Sequence, residues 1–449
     1  MPVDSYDRIK RYWLIAATIL SLISYHLLIY QTPRHQPQTI LFHFVFLALV
    51  YLLVVRFIDS KTLHLALWMS LLLRFSLLWA LPELSDDFYR FIWDGRLLNQ
   101  GINPFVSLPS TLMQDPVFSQ VPIHQQLYQG MNSPDYFTVY PPLSQWVFYL
   151  AAWIFPDSIL GNVMVMRLII ILFEAGSIGL LLTLVQRFQL NPRQVLIYAW
   201  NPLVIVELTG NLHFEAIMIF LILLSIYLLE SGRWQWSAVS IAAGVAVKLI
   251  PLLFLPLLAF RVSWKNLIGY WALTAVVILA LFFTIWSPEL LTGMSSSLSL
   301  YFQNFEFNAS IYYLIREVGF AVKGYNIIGS AGKYLGLTTF VMILLWSYYS
   351  FDRMRWSEAM IWAVAIHLLL STTVHPWYIT PLVGLAALSN VKFPIAWSVL
   401  VMLSYLGYTE SGYQENLYLV STEYLMLAVV LVWDLKKPAT LGNKKLKHI

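Results

Sequence analysis

Long apolar stretches separated by short polar connections recur along the whole chain. Many approach 20 residues, the length that an α-helix needs to cross a hydrocarbon core roughly 30 Å thick. The pattern predicts spans at 13–30, 40–58, 62–81, 163–185, 195–210, 214–230, 235–247, 250–260, 267–286, 331–350, 357–372, 376–389, 393–408 and 418–434. The apolar segment 142–156 is short, and we expect it to lie in the interface or to re-enter without crossing.

The composition agrees with a protein that lies in a bilayer. Hydrophobic residues make up 59% of the chain and charged residues 11%, whereas a soluble domain carries about 25% charged residues. We predict an all-α polytopic membrane protein, a single integral membrane domain over 1–449 with about 12–14 transmembrane helices. We expect no cleavable signal peptide. The chain contains no cysteine, which excludes disulfides and thiolate chemistry, and nothing in it indicates a nucleic-acid partner.

The distribution of lysine and arginine predicts the orientation. If 142–156 does not cross, most basic residues fall on one side, and the positive-inside rule makes that side cytoplasmic. The N-terminus and a basic tail, 435–449, are then cytoplasmic. Two large loops, 82–141 and 287–330, are exoplasmic. The first is far longer than a connection between helices requires, so we expect the functional residues there.

The first loop opens with an acidic motif, Ser85-Asp86-Asp87. Ser85 is a plausible N-cap of an amphipathic interfacial helix that Gly95 ends. On that helix Asp87, Arg90 and Asp94 share one face. Two acids at a helix start can simply complement the helix dipole. Their position beside two arginines at a membrane surface, in a chain with few acids, favours catalysis.

Other polar residues fall where hydrocarbon would make them costly, and all are predicted at the same membrane face. They are Tyr140, Asn201, Glu207, Asn211, His213, Glu215, Lys248 and His375. Any single one could be a helix-end hydrogen bond or a snorkelling side chain, but chance would scatter them over both faces. Arg167 and Glu174 lie seven residues apart on one helix. We interpret them as a structural pair within the membrane or as contacts to a neighbouring helix.

Carboxylates and cations together at an outer membrane face suit transfer of a glycosyl group from a lipid phosphate. The acceptor hydroxyl loses a proton as it attacks the anomeric carbon, so a carboxylate is needed as base. The departing phosphate gathers negative charge, which Arg, Lys or His donors stabilise. No glycine-rich phosphate loop or metal-ligand spacing occurs, so we predict no cofactor and no metal site.

The run from Ser85 to Arg96, with Gly101-Ile102-Asn103-Pro104-Phe105, resembles the first outer loop of bacterial GT-C fold mannosyltransferase-like proteins. The elements that follow keep the family order over roughly 85–380. They are Tyr140-Pro141-Pro142-Leu143, Trp200-Asn201-Pro202, His213-Phe214-Glu215, Lys248-Leu249-Ile250-Pro251 and His375-Pro376-Trp377-Tyr378. The chain is also distantly similar to the catalytic subunit of the GPI-anchor mannosyltransferase.

The resemblance implies a GT-C-like bundle and an inverting enzyme that uses a polyprenyl- or dolichyl-phosphate sugar, commonly mannose. The catalytic motif maps onto Asp86 and Asp87, and either could be the base. On this interpretation the donor phosphate is bound by Arg90, Arg96, Lys248 and His375, and the substrates by Asp94, Asn103, Tyr140, Asn211, His213 and Glu215. The expected partners are a polyprenyl-phosphate sugar, a lipid or glycan acceptor and membrane lipids. The expected location is a bacterial inner membrane, with the site on its periplasmic side.

Two alternatives stay open. In a transporter or flippase of a lipid-linked saccharide, charged groups would line a path across the full bilayer depth; the central spans hold few charges besides Arg167 and Glu174. A non-catalytic assembly subunit would tolerate replacement of both Asp86 and Asp87. One departure from the family also stands, because three predicted spans precede the acidic loop where many relatives have one.

Overall fold

The chain folds into a mostly helical bundle in a computed structural model that describes residues 3–293, 295, 297 and 305–436. Six described helices are long and apolar enough to cross a membrane: Arg8–Gln31, Pro37–Phe57, Ile159–Arg187, Trp264–Phe283, Ile328–Ser350 and Leu417–Leu435. A pair bent by 117°, Pro202–Gly210 and Glu215–Glu230, makes a seventh if it is taken as one span. The prediction of an all-α polytopic membrane protein is confirmed.

Large apolar side chains cover the outer surface of these helices. Phe42, Leu279 and Phe283 are each more than two-thirds exposed. Water would make a continuous apolar surface of this size unfavourable, whereas lipid does not. The bilayer is therefore the solvent that the sequence requires.

The remaining predicted spans fall on helical segments that are short or broken. The short α-helices are Leu63–Phe75, Leu196–Ala199, Pro202–Val204, Trp234–Val245, Trp356–Leu370, Thr380–Ala386 and Phe393–Leu400. Five segments are 3₁₀-helices: Pro192–Val195, Ile250–Phe254, Pro256–Leu258, Pro376–Ile379 and Val401–Gly407. Several of these breaks begin at or beside a proline, which lacks the N–H that a continuous helix needs. Irregular backbone of this kind is tolerated at membrane depth only where protein or a cavity surrounds it.

The first large loop contains short helices, as predicted. It contains the helices Asp87–Asn99, Pro109–Leu112, Pro116–Ser119 and Pro122–Gly130, and the short helix Pro142–Ile154 follows. Two predicted boundaries are wrong. The N-cap is Asp86, while the Ser85 hydroxyl accepts a hydrogen bond of 3.4 Å from the Asp87 N–H. The helix also runs through Gly95 and ends at Asn99.

Gly95 has a packing role. The helix Asp87–Asn99 packs against Pro142–Ile154, and a Cβ at position 95 would overlap the backbone carbonyl of Phe148. The Phe91 and Phe148 rings stack beside this contact with centroids 4.7 Å apart. Glycine is required because no other residue lets the two backbones approach so closely.

The second loop and the C-terminal part of the bundle pack together. Phe307 forms a parallel bridge with Thr373, and the helix Ile311–Lys323 follows. A two-stranded hairpin, Tyr408–Thr409 with Gly412–Tyr413, precedes the last helix. Glu415 accepts hydrogen bonds of 2.8 Å from the Asn308 N–H and the Tyr413 hydroxyl. Residues 294, 296 and 298–304 of the predicted loop, and the predicted tail from 437 onward, lie outside the described residues.

Arg167 and Glu174 do not pair with each other. Glu174 accepts a hydrogen bond of 2.8 Å from the Arg74 Nε and another from the Thr209 hydroxyl. Arg167 donates to four backbone carbonyls, those of Leu78, Ala80, Thr209 and Gly210. The interpretation as contacts to neighbouring elements is confirmed, and the interpretation as a direct pair is wrong.

Candidate active site

The two acids of the first loop have different surroundings. Asp86 accepts a hydrogen bond of 2.8 Å from the Arg34 guanidinium, and both side chains are about 30% exposed. Arg34 comes from the short connection between the first two long helices, and it also lies over the Tyr408 ring at 4.9 Å. Arg34 is not among the site residues predicted from the sequence. The one feature that could have indicated it is its charge, in a short connection that is predicted to be exoplasmic.

Asp87 is the first residue of its helix and is half-buried. Its carboxylate makes no hydrogen bond and no ion pair with the described residues. Its negative charge nevertheless acts on His213 and on Tyr408. Asp87 therefore keeps its lone pairs available and lies within electrostatic range of residues that are far apart in the sequence.

Arg90 and Asp94 form a buried ion pair with 2.7 Å between Nε and Oδ1. Arg90 also donates to the carbonyls of Ser133, at 3.1 Å, and Tyr136, at 2.7 Å. Gln145 donates to the other Asp94 oxygen at 3.0 Å. These contacts hold the later part of the loop against the helix Asp87–Asn99, which we call the acidic helix. In this geometry the pair of Arg90 and Asp94 stabilises the loop.

Arg96 and Asn103 lie away from Asp86 and Asp87, which we call the acid pair. Arg96 is nine residues beyond Asp87, about 13 Å along the helix axis, and its partner is Asp157 at 3.4 Å. The Asn103 side chain donates to the Ile285 carbonyl at 2.8 Å and accepts from its own loop. The Tyr140 ring packs on Phe91 with centroids 4.9 Å apart. The structure does not bring Arg96 and Asn103 to the acids.

A second group of polar residues does assemble from distant segments. We call it the histidine cluster, and it consists of Asn211, His213, Glu215, Lys248, His375 and Trp377. The Lys248 ammonium forms an ion pair with Glu215. The His213 and His375 rings both stack on Trp377, with centroid distances of 3.8 Å and 4.3 Å. The sequence predicts these residues at one membrane face, and the structure joins Lys248 to Glu215 and both histidines to Trp377.

The backbone that carries His213 is irregular. Residues Ile205–Gly210 form a π-helix, and Leu212 has a left-handed φ of 62°. Glu207 stabilises this turn, because it accepts hydrogen bonds from Asn211 at 3.1 Å and from the Tyr405 hydroxyl at 2.8 Å. π-Turns and strained residues of this kind are frequent at functional sites. The break sets His213 at the bend between two helices.

Several buried polar atoms of the cluster have no hydrogen-bond partner in the described part of the chain. They are Asn211 Oδ1, His213 Nε2, Glu215 Oε2 and His375 Nδ1. His213 Nε2 lies 3.4 Å from a Glu207 oxygen without the geometry of a hydrogen bond. All four side chains are at least nine-tenths buried. Native proteins rarely leave such atoms unsatisfied, so the cluster offers a polar ligand both donors and acceptors.

Charge in the cluster resides on the ion pair of Lys248 and Glu215. Burial lowers the pKa of His375 to about 3, and the neighbouring His213 and Lys248 add to the effect. His375 is therefore neutral at physiological pH and acts as a hydrogen-bonding group. Lys248 is held in place from a further side, because the helix Pro142–Ile154 begins with hydrogen bonds to the carbonyls of Ala246, at 2.9 Å, and Val247, at 3.1 Å.

Comparison with known proteins identifies the family. The family model described as alpha-(1->6)-mannopyranosyltransferase, N-terminal domain, matches residues 18–263, more than half of the chain. The chain belongs to this mannosyltransferase family. Alpha-(1->6)-mannopyranosyltransferase A of Corynebacterium glutamicum is 21% identical over 416 residues, which cover 82% of this chain and 81% of the relative.

The match confirms the resemblance to bacterial mannosyltransferases. It covers Arg34, the acid pair, His213, Glu215 and Lys248. His375 and the hairpin at 408–413 lie beyond it. Residues from both sides of that boundary therefore meet in the histidine cluster of this mannosyltransferase.

Proposed function

We propose that the chain transfers mannose from a polyprenyl-phosphate donor to a hydroxyl of a lipid or glycan acceptor, at the periplasmic face of a bacterial inner membrane. The family description suggests an α-(1→6) linkage. The observation that carries the proposal is an unpaired carboxylate, Asp87, beside a buried cluster with a lysine and unsatisfied hydrogen-bonding groups. Donor lipids suit this setting because their tails stay in the membrane.

Asp87 is the base in this proposal. A general base must reach the hydroxyl proton and hold it. The Asp87 carboxylate has no partner among the described residues, whereas one Asp86 oxygen is already bonded to Arg34. Asp86 is then a positioning residue that keeps Arg34 and the start of the acidic helix in place.

The reaction is a single displacement. The acceptor oxygen forms a bond to the anomeric carbon of mannose as the bond from that carbon to the phosphate oxygen breaks. The acceptor proton passes to Asp87, and the electron pair leaves with the polyprenyl phosphate. Lys248 and the ring N–H groups of His213 and His375 stabilise the charge that develops on the phosphate. One displacement inverts configuration, so an α-linked product requires a β-linked donor.

The test is transfer from radiolabelled polyprenyl-phosphate mannose in membranes that carry the wild type, Asp87→Asn or Asp86→Asn. We expect Asp87→Asn to lose about 10²- to 10⁴-fold in rate, the usual contribution of a general base. Asp86→Asn should lose less. Asp135→Asn, an exposed carboxylate of the same loop, is the matched control and should behave as wild type.

The outcomes separate the alternatives. A larger loss of rate in Asp86→Asn would mean that Asp86 is the base. Full activity in both variants would mean that neither acid takes part in catalysis. If the wild type transfers no sugar but moves lipid-linked saccharide across vesicle membranes, the protein is a transporter.

Sidedness has its own test, because the chain contains no cysteine. Single cysteines are introduced at Ser411, in the hairpin turn, and at Lys265, on the predicted cytoplasmic side. Both positions are exposed. A membrane-impermeant maleimide should label Ser411→Cys in intact cells and Lys265→Cys only after permeabilisation. The reverse pattern would place the acid pair on the cytoplasmic side.

A further inference from the structure

The hairpin at 408–413 borders an open cavity to which the mechanism above assigns no ligand. Its volume is about 830 Å³, which is within the range of small-molecule sites, about 300–1,000 Å³. Its wall includes Arg34, Glu83, Asp86, Asn132, Tyr408 and Glu410. The sequence predicts only a short connection, 409–417, between two spans here.

The wall favours ligands that donate hydrogen bonds. Glu83, Asp86 and Glu410 are acceptors when ionised. The basic lining residues are Arg34, which is already bonded to Asp86, and His35. Burial raises the pKa of Glu83, and the nearby Asp86 raises it further, so the carboxylates act on one another. A wall of this kind repels anions and accepts hydrogen bonds from hydroxyl groups.

The carboxylates are distributed around the wall. Among the described residues, no group of three or more His, Asp or Glu side chains is close enough to hold a metal ion. A polyol, which presents hydroxyls in several directions, matches this distribution better than a single cation does.

The position of the cavity beside the acid pair indicates which ligand the cavity could bind. Asp86 lines the cavity, and the next residue, Asp87, acts electrostatically on Tyr408 of the cavity wall and on His213 of the histidine cluster. The start of the acidic helix therefore lies near both the open acidic cavity and the histidine cluster, which contains a lysine. We assign one substrate to each of these two places.

We propose that this cavity binds the sugar of the acceptor, that it selects uncharged sugars, and that Glu410 contributes to the rejection of anionic ones. The proposal rests on the proposed function, since it assigns the second substrate of the same reaction. Glu410 is suited to this role because it is exposed at a two-residue turn. The turn is held without ligand by a 2.7 Å hydrogen bond from the Thr409 hydroxyl to the Gly412 carbonyl.

The experiment measures binding to the purified full-length protein in detergent, with no donor present. The probes are α-(1,6)-mannobiose and the same disaccharide with its terminal CH₂OH oxidised to a carboxylate. Calorimetric titration should give at least about tenfold weaker binding for the acid. Glu410→Gln should bind the acid about fivefold more tightly, the effect of removing one nearby partly screened charge. It should bind the neutral disaccharide within about twofold of wild type.

The matched control is Glu289→Gln, an exposed glutamate outside the cavity wall, which should leave both affinities unchanged. Equal binding of the two disaccharides to wild type would overturn the inference. So would unchanged discrimination in both Glu410→Gln and Glu83→Gln, or magnesium binding that requires Glu410.

Failure of the inference and failure of the proposed function are distinguishable. Binding is measured in the absence of transfer. If the protein discriminates between the two disaccharides but transfers no mannose, the cavity is a sugar site and the proposed enzyme activity is contradicted. If it transfers mannose but does not discriminate, the enzyme activity stands and the proposed selectivity is contradicted.

Discussion

Two sets of buried polar residues lie in this bundle and differ in how completely they are hydrogen-bonded. In the first, every side-chain nitrogen and oxygen of Arg167 and Glu174 has a protein partner. In the second, the histidine cluster, His213, Glu215 and His375 each keep a buried atom without one. Burial is nearly complete in both, so burial alone does not separate a structural group from a functional one.

This difference in hydrogen bonding indicates which buried polar residues stabilise the fold. A satisfied group contributes its hydrogen bonds to the native state, and its loss leaves its partners unpaired in a medium that cannot solvate them. An unsatisfied group lowers stability until a ligand binds, so its loss costs activity without costing the fold. The predictions below test this distinction by replacing one residue of each set.

The largest expected effect on stability comes from Arg167→Leu. Four backbone carbonyls lose their donor, and each costs about 1–3 kcal/mol when it is left unpaired. We expect a loss of several kcal/mol in total, measured as reduced yield and a lower Tm in detergent. Arg233→Leu removes an exposed arginine and should leave both unchanged. A stable Arg167→Leu protein would show that complete hydrogen bonding does not mark a structural role.

The histidine cluster should respond in the opposite way. His375→Phe keeps a ring that can stack on Trp377 but removes both nitrogens. Transfer should fall about 10²-fold, while the Tm stays equal or rises, because a buried unpaired atom is removed.

The pH dependence sharpens this prediction. The His375 pKa is lowered to about 3, so the ring stays neutral and does not titrate between about pH 5 and pH 8. The ratio of wild-type to His375→Phe rates should be constant over that range. A ratio that grows as pH falls would mean that protonated His375 is the active form.

The smallest expected effect tests packing outside both sets. Gly95→Ala forces a methyl group against the Phe148 carbonyl and should cost about 1–3 kcal/mol, with some loss of transfer because the acidic helix shifts. Gly179 is the matched helical glycine, since a Cβ there meets no atom of the described residues within 4 Å. Gly179→Ala should be neutral or stabilising by up to about 1 kcal/mol. Equal Tm values for the two variants would contradict the close approach at Gly95.

The sequence was sufficient for the fold class because the signal for a membrane helix is local. Composition and run length identify a span without knowledge of its neighbours. Glu215, Lys248 and His375, which the sequence predicts at one membrane face, lie near one another in the structure, as residues that share a narrow layer can. The ion pair between Arg34 and Asp86 could not be predicted, because that contact depends on how two connections fold over each other.

Other contacts could not be predicted for the same reason. The Arg90 and Asp94 side chains bind Ser133 and Gln145, which lie some 40 to 50 residues away in the chain. Spacing along one helix does not reveal such partners. Gly95 looked like a helix end because the sequence alone does not show that another backbone passes beside it.

The rings near the cluster have a consequence for natural variation. His375 packs on Phe307 at 4.5 Å, and Phe307 packs on Tyr413 of the hairpin at 4.6 Å. A change of ring size at Phe307 would therefore displace a cluster residue on one side and the cavity wall on the other. Related sequences that differ at Phe307 should therefore carry compensating changes at 375 or 413. The histidine cluster and the cavity wall would then change together during evolution.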